Sequence, residues 1–228
     1  MQRTLFIAVA ALGLVVGALL FLVLRPRPSA SALDPAQNPR FVIGDPQAKV
    51  TVVDFSNYLC SHCRDHANEV FPFIKRDYID TGKVRYIFRD FPFTGQENVI
   101  RAGEAAACAA DSNLYVEYHE ALFRAQLQWA GLSGEALDRY FADLAGQVGM
   151  APATFLQCLK SGSKRAGVLA DQKLALELGL TGTPSFFVNG ERYTGQRPYS
   201  SWREILDRAL AGQSPSQDEG GQSSPYRP

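Results

Sequence analysis

The chain has 228 residues, and its 23 lysines and arginines balance 23 aspartates and glutamates, which gives a formal net charge of zero. No basic block and no alternation of basic with aromatic residues breaks this balance, which argues against nucleic acid as a partner. The central stretch of about 170 residues is mixed in composition and long enough for one domain with a sizeable core.

The N-terminus carries an apolar, uncharged run over residues 5–24, behind the short segment 1–4. A helix of about 20 residues spans about 30 Å, the hydrocarbon thickness of a bilayer, and the run is longer than the apolar core of a secretory signal. We therefore predict a transmembrane anchor behind a cytoplasmic N-terminus. The small-x-small sequence at 30–32 leaves a cleaved signal as the alternative. Both interpretations place the remaining chain on the extracytoplasmic side, anchored by a single pass or secreted.

Two polar segments flank the central stretch. Residues 25–39 contain four prolines among small and polar residues, which predicts a linker. Residues 213–228 are rich in serine, glutamine, glycine and proline, which predicts a disordered tail. The folded domain is therefore predicted over residues 40–212.

Apolar spacing predicts an α/β order of elements in this domain. Strands are predicted at 41–43, 50–56 and 84–88, with an amphipathic helix over 64–78 between the second and the third. Helical spacing with almost no strand signal continues over about 97–178 and predicts a helical insert. Two further strands, 185–188 and 192–194, are predicted to pair as a hairpin across Asn189-Gly190, before a last helix over 199–211. The predicted order is β-α-β, helical insert, β-β-α.

The cysteine pair Cys60 and Cys63 lies where the second predicted strand ends and the first helix begins. Unpaired N–H groups at a helix start stabilise a thiolate, so Cys60 is predicted to be the nucleophile of disulfide exchange. A protonated His62 would stabilise the reduced form further and make the disulfide oxidising. A structural zinc site would need a second pair at matching spacing, which the sequence lacks. A metal site that adds His66 is the alternative; otherwise His66 is interpreted as a helix-surface residue.

Three motifs in this order resemble the DsbA-like branch of the thioredoxin superfamily. They are Val53-Asp54-Phe55, the cysteine pair itself, and the run from Gly179 to Gly190 that contains Thr183-Pro184. Members of this branch are exported thiol-disulfide oxidoreductases with a helical domain inserted into a thioredoxin fold. The resemblance covers residues 41–211 and implies that fold here. The transmembrane helix predicted from the apolar run over 5–24 would precede it.

The resemblance also implies roles for individual residues. Cys60 matches the exposed nucleophile and Cys63 the buried resolving thiol. Asp54 matches the buried acid that accepts a proton from the second cysteine. Pro184 matches the family's cis-proline, and Thr183 matches the residue whose backbone pairs with an extended substrate. A cis bond would turn backbone groups outward beside the sulfur, which supports that role on physical grounds.

The implied reaction introduces disulfides into unfolded or reduced exported proteins and needs no cofactor. A quinone-linked membrane protein of the DsbB or vitamin K epoxide reductase type would re-oxidise the cysteine pair. Strong oxidants of the branch carry Pro-His between their cysteines, where this chain has Ser61-His62. The redox potential of the pair therefore does not follow from the resemblance. A disulfide isomerase or reductase on the same fold is one alternative, and an anchored binding domain without catalysis is another.

The other two cysteines, Cys108 and Cys158, lie on apolar faces of the predicted insert. In an exported protein the active pair leaves these two for each other, so we predict a structural disulfide. Two buried free thiols or a second redox pair are the alternatives. His119, also in the insert, is interpreted as a packing residue rather than a catalytic one.

Overall fold

The computed structural model describes residues 33–213. The predicted anchor over 5–24, the first part of the linker and the tail after residue 213 lie outside the described residues. Within residues 33–213, no helix combines the length and the apolar character needed to cross a bilayer.

The five strands of the described chain form one mixed sheet in the order β1-β3-β2-β4-β5. They are β1 Phe41–Ile43, β2 Val50–Ser56, β3 Val84–Asp90, β4 Ser185–Val188 and β5 Glu191–Thr194. β2 and β3 are parallel, and the other neighbouring pairs are antiparallel. β2 is therefore central, and the cysteine pair follows its carboxyl end.

Helices cover both the connection after β2 and the long connection after β3. The first helix, α1, runs over 61–79 and alternates α segments (Ser61–Asp65, Phe71–Ile74) with π turns (His66–Val70, Lys75–Ile79). The other helices are α2 Glu97–Ala110, α3 Tyr115–Arg124, α4 Gln126–Trp129, α5 Gly134–Gln147, α6 Pro152–Ser161, α7 Arg165–Glu177 and α8 Tyr199–Leu210. Helices α2 to α7 lie between β3 and β4, which confirms the predicted helical insert.

Pro72 lies inside α1 and explains part of its irregular winding. Proline has no N–H to donate, and its ring clashes with the carbonyl group four residues earlier, so a regular α-helix cannot pass through it. The π turn at His66–Val70 directly precedes the segment that contains Pro72. Wider turns of this kind let a helix continue through such a position and often occur beside functional residues.

The two faces of β2 pack into different layers of the core. Val50 and Val52 belong to the larger cluster under α1, α8 and the insert, whereas Val53 and Phe55 face a smaller cluster that includes residues of α7. Successive side chains of a strand alternate between faces, so Asp54 shares the face of Val52. The strand period thus places a buried carboxyl group in the layer beneath α1.

β3 continues through Arg89 and Asp90, past its predicted end at Phe88. Both charged side chains are buried, and Arg89 forms an ion pair with Asp171 of α7. Arg89 also donates hydrogen bonds to the carbonyl groups of Pro35, Gln37 and Asn38. The last part of the predicted linker therefore packs against the domain.

Cys108 of α2 and Cys158 of α6 are joined by a disulfide, with 6.0 Å between their Cα atoms and a sequence separation of 50. The bridge ties two helices of the insert together. A cross-link of this loop length restricts the unfolded chain and stabilises by about 2–4 kcal/mol.

Replacement of both Cys108 and Cys158 by serine should therefore lower the free energy of unfolding by about 2–4 kcal/mol. Urea denaturation would measure the change in a background where Cys60 and Cys63 are alanine, so that only this bridge differs. As a control, the Cys108–Cys158 disulfide is reduced in that background without the serine substitutions. Reduction should lower the free energy of unfolding by a similar amount. An unchanged denaturation midpoint in both cases would exclude a structural role for the bridge.

Candidate active site

A turn after β2 presents Cys60 at the start of α1. The Asn57 carbonyl group accepts the Cys60 N–H at 3.0 Å, and Asn57 Oδ1 accepts the Leu59 N–H at 2.9 Å. Asparagine side chains form such local turns readily. The buried Asn57 amide also donates to the Phe91 carbonyl and to Gln96 Oε1. Asn57 therefore connects the turn to the segment after β3.

Gln126 of the insert also forms hydrogen bonds with the turn that carries Cys60. Its Nε2 donates to the Tyr58 carbonyl at 2.8 Å and to the Cys60 carbonyl at 3.1 Å. Gln126 is buried, and its Oε1 accepts a bond from Arg64. Neither Gln126 nor Asn57 was identified from the sequence. The position of Asn57 between a strand and a helix was an available signal for a turn, whereas Gln126 carries no local signal.

The two sulfur atoms lie in different environments, and both cysteines are free thiols in this structure. Cys60 is half-buried, and its Sγ lies 3.3 Å from the Thr183 carbonyl oxygen. The Cys63 thiol donates to Cys60, and the backbone N–H groups of Cys63 and His62 add to this, so the pKa of Cys60 falls to about 5. At neutral pH, Cys60 is therefore a thiolate.

Cys63 has the opposite character. Burial raises the pKa of its thiol well above the ordinary value, and the neighbouring Cys60 and Asp54 raise it further. The Asn57 N–H points at its Sγ from 3.5 Å. Cys63 is thus a protonated, inaccessible thiol that needs help to lose its proton.

Asp54 is the buried carboxyl group on the same side of the sheet. Its Oδ1 accepts a hydrogen bond from Ser56 Oγ at 2.7 Å, and its Oδ2 accepts one from Tyr86 OH at 3.0 Å. Burial raises the pKa of Asp54 to about 7, although both hydrogen bonds act against this increase. Asp54 can therefore both accept and donate a proton near neutral pH.

The remaining residues proposed from the sequence surround Cys60. His62 is exposed in the first turn of α1, and the Thr183-Pro184 peptide bond is cis. The Thr183 carbonyl group faces the Cys60 sulfur, and Pro184 is buried at the start of β4. The fold thus brings together residues from both ends of the domain.

The prediction that His66 is a helix-surface residue is wrong. Only 1% of His66 is exposed, its Nε2 lies 3.2 Å from Tyr86 OH, and its ring packs against Phe186 and Trp202. Burial lowers the pKa of His66 to about 3, so the ring is neutral. His66 follows the buried Cys63 by three residues, a spacing that places both on one helix face.

The metal-site alternative has no support in the described part of the chain. Among residues 33–213, no group of three or more histidine, cysteine, aspartate or glutamate side chains is arranged to hold a metal ion. His119 lies in the core, where its ring contacts Phe88 and Phe123 and its Nδ1 is 2.9 Å from Tyr58 OH. Its surroundings are those of a packing residue.

Comparison with known proteins agrees with this geometry. A chain of Rickettsia typhi named as a protein-disulfide oxidoreductase is 31% identical over 180 residues, which cover 78% of this chain and 65% of that one. The match spans less than two thirds of the length of that relative and of further Rickettsia relatives.

Two crystal structures share the fold. The α-DsbA1 protein of Wolbachia pipientis is 27% identical with a TM-score of 0.67, over 83% of this chain and 95% of that one. Oxidised BdbD of Bacillus subtilis is 27% identical with a TM-score of 0.65, over 75% of this chain and 92% of that one. The family model described as thioredoxin matches residues 36–208, and the chain therefore belongs to the thioredoxin family.

Proposed function

We propose that this chain is an extracytoplasmic thiol-disulfide oxidoreductase that introduces disulfides into exported proteins through Cys60 and Cys63. The observation that carries the proposal is the opposite shift of the two thiol pKa values at the start of α1. A half-buried thiolate beside a buried thiol is the arrangement that dithiol-disulfide exchange requires.

The oxidised protein would begin the reaction with a bond between Cys60 and Cys63. A substrate thiolate attacks the Cys60 sulfur, a mixed disulfide forms, and Cys63 leaves and takes a proton from Asp54. A second substrate thiolate then attacks the substrate sulfur of the mixed disulfide and releases Cys60 as a thiolate. The substrate loses two electrons and gains a disulfide, and the cysteine pair gains both electrons.

Residues around Cys60 are suited to an extended substrate. The Thr183 carbonyl group beside the sulfur can accept a hydrogen bond from a substrate backbone, as in strand addition. Leu127, the neighbour of Gln126 in α4, is 77% exposed. An unfolded chain with apolar side chains and reduced cysteines would contact both groups, so reduced exported proteins are the proposed substrates.

Re-oxidation is assigned to a quinone-linked membrane protein of the DsbB or vitamin K epoxide reductase type. The apolar N-terminal run supports this part of the proposal, because an anchor would keep both proteins in one membrane plane. His62 completes the proposed catalytic set together with Asp54 and Thr183-Pro184.

One observation favours a reductase or isomerase instead. Asp54 has a pKa of about 7, so about half of its population can accept the Cys63 proton at neutral pH. Removal of that proton helps Cys63 to attack a mixed disulfide, which is the step that a reductase or an isomerase uses. The direction of electron flow therefore has to be measured.

The deciding experiment is the redox potential of the Cys60–Cys63 pair, titrated against glutathione. A value near about −120 mV would support a donor of disulfides, and a value near about −270 mV would support a reductase. Oxidation of reduced ribonuclease would test catalysis in parallel. Cys60→Ser should reduce it to the uncatalysed rate. Cys63→Ser cannot form the internal disulfide, so after Cys60 attacks oxidised glutathione this variant should accumulate as a mixed disulfide with glutathione. Catalysis that survives in Cys60→Ser would refute the proposed nucleophile.

A further inference from the structure

The Asp54 carboxyl group has two hydrogen-bond donors that the proposed exchange reaction does not yet use. We infer that Tyr86 and Ser56 are positioning residues that keep Asp54 able to take the proton of Cys63. This inference rests on the proposed function, because it concerns the proton that Cys63 loses before it attacks a disulfide. It assigns to these two side chains a role that they exert through Asp54.

Each oxygen atom of Asp54 receives one of these bonds. Ser56 Oγ lies 2.7 Å from Oδ1, and Tyr86 OH lies 3.0 Å from Oδ2. Ser56 follows Asp54 on the same face of β2, and Tyr86 comes from the neighbouring strand β3. Hydrogen bonds to the ionised form of a carboxyl group favour that form and lower its pKa.

The direction of the Tyr86 bond follows from His66. Within residues 33–213, His66 Nδ1 is buried and has no hydrogen-bond partner, whereas Nε2 lies 3.2 Å from Tyr86 OH. A buried N–H without an acceptor costs more than a buried lone pair without a donor, so the proton of the ring belongs on Nε2. Nε2–H then donates to the Tyr86 oxygen, and the Tyr86 proton points at Asp54.

Among residues 33–213, the groups that shift the pKa of Asp54 are Ser56, Tyr86 and Cys60, in addition to burial, and none of them is a cation. The titratable groups that face Asp54 are Cys60 and Cys63 at the start of α1, Tyr86 on β3 and, behind Tyr86, His66 of α1. From β4, the apolar Phe186 lies opposite Asp54. His66 is neutral because burial lowers its pKa to about 3. Two neutral donors offset part of the burial penalty, so the pKa of Asp54 stays at about 7.

This balance matters for the attack by Cys63. At a pKa of about 7, half of Asp54 is ionised at pH 7 and can take the Cys63 proton. Loss of one donor should raise the pKa by about one unit, and the ionised fraction would then fall about fivefold. Loss of both donors should raise it by about two units, and the fraction would fall about fiftyfold.

The experiment is a titration of the Asp54 carboxyl carbon by 13C NMR in the oxidised protein, where neither active-site sulfur carries a proton. Asp54→Asn identifies the signal. Tyr86→Phe and Ser56→Ala should each raise the midpoint by about one unit, and the double variant by about two. Because the two single variants alter different strands, misfolding of one leaves the other as a test.

Tyr118→Phe is the matched control. Tyr118 is also fully buried, and its hydroxyl group donates to the Phe141 carbonyl at 2.9 Å, away from Asp54. This variant loses a comparable hydrogen bond and should leave the Asp54 midpoint unchanged. The inference would be overturned if the Asp54 midpoint in Tyr86→Phe and Ser56→Ala equalled that of the unsubstituted protein. A midpoint below that of the unsubstituted protein would also overturn it.

A kinetic readout separates this inference from the proposed function. The rate at which Cys63 closes the disulfide, after Cys60 has reacted with oxidised glutathione, should fall about fivefold at pH 7 in Tyr86→Phe and recover at higher pH. A protein without any exchange activity would refute the proposed function, yet the NMR titration would still decide the role of Tyr86 and Ser56.

Discussion

Asp171→Ala is expected to lower the free energy of unfolding by about 3–5 kcal/mol, because it leaves a buried guanidinium group without its ion-pair partner. Asp171 Oδ1 accepts a bond from Arg89 at 2.7 Å, and Oδ2 accepts one from Arg40 at 2.5 Å. Only 3% of the Arg89 side chain is exposed. The network joins β3, α7 and the segment before β1, so its loss should loosen the insert against the sheet.

Urea denaturation of Asp171→Ala and of a surface control would measure this effect. Glu135 pairs with Arg139 one helical turn away in α5, and their side chains are 80% and 67% exposed. Glu135→Ala should therefore change the free energy of unfolding by less than about 0.5 kcal/mol. If Asp171→Ala costs no more than this control, the buried network does not hold the domain together.

The second large effect concerns the thiolate of Cys60. Its absorbance at 240 nm should titrate with a midpoint of about 5, whereas an ordinary thiol titrates near 9. The hydrogen bond from the Cys63 thiol is the main cause, so Cys63→Ala should raise the midpoint. Cys60→Ser should abolish the transition. A wild-type midpoint near 9 would contradict the assignment of Cys60 as the activated nucleophile.

The same shift makes the stability of the reduced protein depend on pH. The pKa of Cys60 is lower in the folded chain than in the unfolded chain, because the folded chain stabilises the thiolate. This stabilisation contributes fully to the free energy of unfolding above pH 9, where the thiol of the unfolded chain is also ionised. That contribution is lost progressively as the pH falls from about 9 to about 5. Reduced wild type should therefore lose more stability than reduced Cys60→Ser between pH 8 and pH 5. Equal losses in urea denaturation would refute this linkage.

Several local predictions agree with the structure because they depend on neighbours along the chain. β2 has its predicted bounds, Val50–Ser56, because its apolar, β-branched residues are buried on both faces of a central strand. The hairpin turns at Asn189 and Gly190, whose φ angles of 48° and 88° suit asparagine and glycine. The cysteine pair lies at the predicted start of a helix.

The predictions that failed depended on compensation between distant residues. The third strand was predicted to end at Phe88, yet β3 continues through Arg89 and Asp90. Asp171 neutralises the charge of Arg89 inside the protein, and Arg40 neutralises that of Asp90. His66 is polar and was interpreted as exposed, yet Tyr86 and the surrounding rings accommodate it in the core. The sequence around a polar residue does not show whether a distant residue will supply a hydrogen bond or an ion pair to it in the folded protein.

By itself, the sequence determined the order of strands and helices, the helical insert and the place of Cys60 and Cys63 at a helix start. These features arise from residue spacing and turn chemistry over a few neighbouring residues. Only the tertiary structure decided how far the pKa values of the Cys60 and Cys63 thiols are shifted. It also decided which side chains donate hydrogen bonds to Asp54, and that Gln126 donates hydrogen bonds to the turn that carries Cys60. Burial and hydrogen bonds set those properties, and folding supplies them from segments far apart in the chain.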